Sequence, residues 1–175
     1  SKGITDKILQ AAFTAPMGLP PSDVNVLIMD SKEKVFSFSK GFCGFLKEIR
    51  WMYSSFFITI MRPFWGKKAD DVFRNFVRPA AKAYISKMEK DEDIVLYAAP
   101  QVMYFYGTPY CDPADPIIAA TYAMLAAESL GLGTCMLGAI HPLIQNGPAA
   151  ARFRKKHGIR HKSREGLFIA MGYPD

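Results

Sequence analysis

The stretch Ala126-Ala127-Glu128-Ser129-Leu130-Gly131-Leu132-Gly133-Thr134-Cys135-Met136-Leu137-Gly138 carries the chain from a helix, through two glycines, into a short strand. Upstream, Pro116 to Leu130 is small or apolar almost all round, with Glu128 and Ser129 as late exceptions. A helix apolar on every side belongs in a buried position, in a domain core or a subunit interface. Asp115-Pro116 predicts its start, with a capping carboxylate before proline at the first helical position. Asp112 and Asp115 are therefore read as turn and cap residues. Gly131 and Gly133 end the helix, and Cys135 to Leu137 reads as the strand that follows.

Towards the C-terminus, a helix is expected from about Pro148 to His157, stopped by Gly158. Gly166-Leu167-Phe168-Ile169-Ala170-Met171-Gly172 then reads as a buried strand, short and apolar. Towards the N-terminus, Ile94 to Tyr97 and Val102 to Tyr106 read as two strands, or as one strand bent at Pro100. Val24 to Asp30 is a further buried strand. Before it, Pro16-Met17-Gly18-Leu19-Pro20-Pro21-Ser22-Asp23 is a loop, because three prolines and a glycine exclude regular structure. Ile4 to Phe13 has the helical period, with Thr5 or Asp6 as its cap.

Between the first two strands, Ser31 to about Lys90 reads as helical but broken. Pro63 and Gly66 interrupt it, and Pro79 predicts a kink or split. The whole is one α+β domain over residues 1–175, with a helical insertion at about 36–92. The insertion's aromatics (Trp51, Tyr53, Phe56, Phe57, Phe64, Trp65) read most simply as core, with a lid or a membrane-surface contact as the second reading.

The chain has 175 residues, half of them apolar and 13% aromatic. A chain of this size buries about 70% of its unfolded surface, which excludes intrinsic disorder. Cys43, Cys111 and Cys135 are far apart and the three histidines (His141, His157, His161) lack ligand spacing, so no metal site is expected. No signal peptide opens the sequence, and a cytoplasmic location is expected. The longest apolar run, Trp51 to Met61, is too short to span a bilayer, which takes about 20 residues. The net charge of +6 is concentrated: seven basic residues fall between Arg152 and Arg164, and the rest of the chain has 15 basic against 16 acidic. With only Phe153 available for stacking, this run is a poor nucleic-acid reader. A solvated helix face is the simpler reading, and a docking surface for an acidic electron donor the second. Nucleotide-binding glycine motifs, a G-x-S-x-G elbow and a paired nucleophile and base are all absent. An enzyme without such a set leaves the chemistry to a cofactor.

Taken together, the Ala15-Pro16-Met17-Gly18 loop, Ala126 to Cys135 and the closing Leu167-Phe-Ile-Ala-Met-Gly-Tyr-Pro174 resemble the FMN-dependent nitroreductase family. The resemblance covers about Ile8 to Asp30 and Tyr97 to Pro174. It is strongest to the nitroreductase part of bacterial proteins fused to an N-terminal ferredoxin-like domain, with this chain as a piece truncated at both ends. It implies a mostly antiparallel sheet flanked by helices, and a homodimer with FMN at the subunit interface. Iron–sulfur clusters would belong only to the missing N-terminal domain. By position, Pro16, Met17 and Gly18 would line the flavin, with Ser22 as a further contact. Met136, Leu137 and Gly138 would lie against the isoalloxazine, the Gly138 N–H facing N5. Pro20 stands where many relatives have an asparagine that bonds the ring, and the family's basic segments before the first helix and after the last strand are not in this chain.

The function implied is transfer of electrons from reduced flavin to a flat, electron-poor acceptor such as a nitroaromatic or a quinone, with a ferredoxin-type donor. Cys135 is read as a small packing residue. The alternative is a non-catalytic or flavin-poor dimeric scaffold of the same fold.

Overall fold

A computed structural model describes residues 2–18 and 23–174. Its elements run α1 (Lys2–Phe13), β1 (Val24–Met29), α2 (Lys32–Glu48), a 3-10 turn (Arg50–Tyr53), α3 (Ser55–Val72) and a π-helical turn (Phe73–Val77). They continue with α4 (Arg78–Met88), β2 (Gln101–Gly107), α5 (Asp115–Ser129), β3 (Gly133–Leu137), α6 (Ile140–Leu143), α7 (Pro148–Lys156) and β4 (Gly166–Gly172). The chain forms two compact units, residues 1–35 with 99–175, and residues 36–98.

The first unit is built on an antiparallel sheet in the order β1-β2-β4-β3. The central strands β2 and β4 are buried on both faces, which explains their nearly continuous apolar sequences. One face presents Met103, Phe105, Leu167, Ile169 and Met171 to Ile8 and Ala12 of α1 and to Ala119, Ala120, Ala123 and Ala127 of α5. The small alanines let α5 lie close against both the sheet and α1. On the other face Tyr104 stacks on Phe168, with ring centroids 3.9 Å apart, and on Tyr106 at 5.0 Å.

One expectation in this unit changes. Helix α1 begins at Lys2, so Thr5 lies inside it and bonds Gln101 instead of capping. Helix α5 is buried along one face only: Tyr122 and Leu125 of its uniformly apolar sequence are exposed, Leu125 by 60%. Uniform apolarity places a helix in a core or a subunit interface; here part of that apolar surface is uncovered among the described residues.

In the second unit, Phe42 packs against Phe45 and Tyr84. The Ser54 hydroxyl accepts from the Phe57 N–H at 3.2 Å and caps α3. Gly66, at φ 78°, breaks α3 where no side-chain-bearing residue sits easily. Pro79 stands in the first turn of α4, where its missing N–H is not needed, and the irregularity falls in the π-helical turn just before it.

Ile94 to Tyr97 is not a strand. Asp93 is buried, and its carboxylate accepts from the N–H groups of Val95 (2.9 Å), Leu96 (3.0 Å) and Ala98 (3.3 Å) and from the Ser39 hydroxyl (3.0 Å). This wraps the backbone into a turn in which Tyr97 and Ala98 take φ of 56° and 48°. A side-chain acceptor has replaced a sheet ladder as partner for these amides. The insertion's aromatics are core only in part. Trp51, Phe57, Trp65 and Phe73 form a ladder with successive centroids 4.9, 5.9 and 4.8 Å apart, whereas Phe56 and Phe64 are 77% and 80% exposed.

Candidate functional site

The second glycine loop forms the edge of the sheet in the first unit. Strand β3 pairs only with β4, and along it Gly133, Cys135 and Met136 are exposed, Met136 by 60%. Cys135 is therefore a surface residue, not a packing one: β3 is an edge strand whose outer edge is unpaired among the described residues. Leu137 is half-buried and Gly138 exposed, and a Cβ placed on Gly138 would meet nothing within 4 Å. The backbone at Gly138 thus faces open space, beside an exposed apolar side chain.

The first loop is held at the start of α5. The Asp115 carboxylate, 2% exposed, accepts from the Gly18 N–H at 2.8 Å. Asp115 is consequently not the cap read from the sequence; it lies within the helix, whose preceding residue is Ala114. Proline at position 116 fixed where the helix begins, and the carboxylate was left to restrain the loop. Asp112 does act as a turn residue, accepting from the Ala114 N–H at 2.8 Å. Pro16 is exposed and Met17 half-buried against the core. Ser22, with Leu19 to Pro21, lies outside the described residues.

Met136, Leu137 and Gly138 thus come together at the β3 edge, and Pro16, Met17 and Gly18 come together at the start of α5. The first loop precedes β1 and the second follows β3, the two outermost strands of the sheet. Both lie towards the Val24 end, since Leu137 pairs with Phe168, Phe168 with Tyr104, and Tyr104 with Leu27.

A buried polar network that the sequence reading missed lies three residues beyond Gly138. The Tyr104 hydroxyl is 2.8 Å from His141 Nδ1, and Gln145 Nε2 donates to that hydroxyl at 3.2 Å and to the His141 carbonyl at 3.1 Å. Gln145 Oε1 accepts from the Ser163 N–H at 2.9 Å, and the Ser163 hydroxyl accepts from the Gly107 N–H at 2.8 Å. Burial holds the His141 pKa below its ordinary value and pushes the Tyr104 hydroxyl up, so both are neutral near pH 7. The available signals were a tyrosine within an otherwise apolar strand, and His141 and Gln145 four residues apart. The Cys43 and Cys111 thiols are pushed up to about 11 by burial, which keeps them protonated and unreactive.

A helix-flanked four-stranded antiparallel sheet with one open glycine-bearing edge defines a class of α+β proteins. The Nitroreductase family model matches residues 1–173, and the chain belongs to that family. Among solved structures, a nitroreductase with bound FMN from Bacteroides fragilis NCTC 9343 is similar over all of this chain and 78% of its own, at 17% identity and a TM-score of 0.67. A nitroreductase with bound FMN from Desulfitobacterium hafniense DCB-2 is similar over all of this chain and 79% of its own, at 20% identity and a TM-score of 0.61. A BluB-like flavoprotein from Clostridium difficile 630 covers all of this chain with 81% of its own, at 15% identity and a TM-score of 0.62. No curated protein sequence matches the chain. The mostly antiparallel, helix-flanked sheet expected from the sequence is the one observed. Among the described residues no helix is long and apolar enough to cross a membrane.

Proposed function

We propose that the chain is an FMN-dependent oxidoreductase of nitroreductase type, acting on a flat, electron-poor acceptor such as a nitroaromatic or a quinone. The observation that carries the reading is the open edge at Gly138: no atom lies within 4 Å of the position a side chain would take, next to the exposed Met136. A planar ring can approach such a backbone within hydrogen-bond distance, which a Cβ would obstruct. Bound there, FMN would supply the electron transfer, and the protein the orientation and N–H donors.

The residues of the second loop fit the group. Met136 and Leu137 offer apolar contact, and the Gly138 N–H is the donor assigned to N5. In the first loop, Pro16 and Met17 offer contact surface, but the Gly18 N–H is already engaged by Asp115. Its role is to hold the loop's shape, with Ser22 assigned as a polar contact. A homodimer that sets the first loop of one copy beside β3 of the other supplies both to one flavin. The exposed Tyr122 and Leu125 on α5 support such an interface. The electron donor we assign is a ferredoxin-type protein, as the family resemblance implies, and the setting we assign is cytoplasmic, as expected from the sequence.

The engaged Gly18 amide also favours the second reading, a flavin-poor dimeric scaffold. Titration of the protein with FMN, followed by flavin absorbance and fluorescence, separates the two. Saturable binding, with oxidation of the reduced complex by a quinone, is expected for the enzyme. Absence of binding by the full-length protein contradicts it.

A further inference from the structure

A cavity of about 410 Å³ in the first unit opens beside the buried network and is lined by Pro113, His141, Pro142, Asn146, Lys162 and Arg164, with Gln145, Ser163 and Glu165 completing the wall. Its floor is fixed: His141, Gln145 and Ser163 are each at least 95% buried and bonded to one another or to Tyr104. Its rim is charged, with Lys162, Arg164 and Glu165 exposed, so positive charge exceeds negative by one. No other acidic residue lies between Arg152 and Arg164.

The donor inventory is one-sided. With Nδ1 set against the Tyr104 hydroxyl, His141 carries its proton on Nε2, whose contact with the Arg164 carbonyl is long at 3.4 Å. That bond keeps the imidazole N–H engaged with the backbone, so His141 fixes the cavity floor. Gln145 Oε1 and the Ser163 hydroxyl, the floor's potential acceptors, are already used by the Ser163 and Gly107 amides. What remains toward a ligand is the Asn146 amide, an ammonium and a guanidinium, against the single carboxylate of Glu165 on the wall. Arginine and lysine together recognise phosphate oxygens through charge-assisted bonds. The volume falls within the 300–1,000 Å³ of small-molecule sites, leaving room for an organic group between Pro113 and Pro142.

We propose that this cavity is a binding site for the phosphate group of a small phosphate ester, held by Lys162, Arg164 and Asn146. It is a site separate from the β3 edge and does not depend on flavin being bound. The surrounding basic run raises the local concentration of such anions.

Isothermal titration of the flavin-free protein with glycerol 3-phosphate, inorganic phosphate and acetate, at constant ionic strength, tests the proposal. Glycerol 3-phosphate is expected to bind at one site, more tightly than inorganic phosphate, with acetate weakest. Lys162→Ala/Arg164→Ala should weaken glycerol 3-phosphate binding at least about tenfold. Lys155→Ala/Lys156→Ala, exposed on α7 and outside the cavity, should leave it within about twofold. All four side chains are exposed, and an unchanged melting temperature verifies that each variant is folded. No saturable binding up to about 10 mM, preference for acetate, or equal loss in both double variants would overturn the proposal.

Discussion

Strands β3 and β4 are hydrogen-bonded neighbours, yet they sit in opposite environments. From Gly166 to Met171, β4 is buried at every position, whereas β3 has no buried residue from Gly133 to Leu137. Both are short and largely apolar in sequence. The difference comes from their place in the sheet, central against edge. Edge strands that keep exposed apolar residues and free ladder groups are a liability unless something covers them. In this protein β4 serves the architecture, and β3 is the surface we propose for cofactor and partner subunit.

Substitutions should separate the two strands in order of effect. Phe168→Ala removes a fully buried ring stacked on Tyr104 and should cost about 3–5 kcal/mol, measured by denaturant unfolding. Gly166→Ala comes next, since its Cβ would lie 2.7 Å from the Phe105 carbonyl oxygen and 2.8 Å from His141 Nδ1. Neither the backbone nor the bonded imidazole can yield easily, and a loss of roughly 1–3 kcal/mol is expected. Met136→Ser on β3 should change stability by less than about 0.5 kcal/mol. A loss there as large as that on β4 would break the distinction between the strands.

The network behind β4 adds a pH dependence. Burial lowers the pKa of His141, and of His157 on the same grounds, below the ordinary imidazole value of about 6.5. In acid the unfolded chain therefore takes up protons before the folded one does. Stability from this source is complete above about pH 6.5 and is lost as pH falls from there towards the depressed folded values. Melting temperatures between pH 7.5 and 5 should fall, and His141→Gln should reduce the slope. A slope unaffected by that substitution would remove His141 from the account.

The sheet was largely legible because β1, β2 and β4 are apolar runs bounded by turn residues, and α5 with β3 is punctuated by Gly131 and Gly133. The errors share one physical origin: side chains that bond backbone amides in place of regular structure. Asp93 turned an apparent strand into a loop through amides two to five residues on, a local signal outweighed by the apolar run, and Asp115 left capping to hold Gly18, 97 positions away. Propensity and periodicity register neighbours three or four residues apart, so the Asp115 bond has no local signature. The Tyr104–His141–Gln145–Ser163 network escaped for the same reason. The candidate flavin residues of the second loop were reached through their resemblance to a family, and their exposure on an edge strand is what the structure added.

The central claim is that the backbone at Gly138 lies against FMN. Gly138→Val should leave the melting temperature unchanged, because open space surrounds the new side chain and the backbone has no positive φ to strain. FMN titrations of the wild-type and variant proteins, in the full-length chain and with thermal unfolding recorded on the same preparations, measure both effects. The expected result is a Kd raised tenfold or more, about 1.4 kcal/mol, in a protein of normal stability. An unchanged Kd in the folded variant would contradict the assignment and remove the β3 edge from the cofactor site.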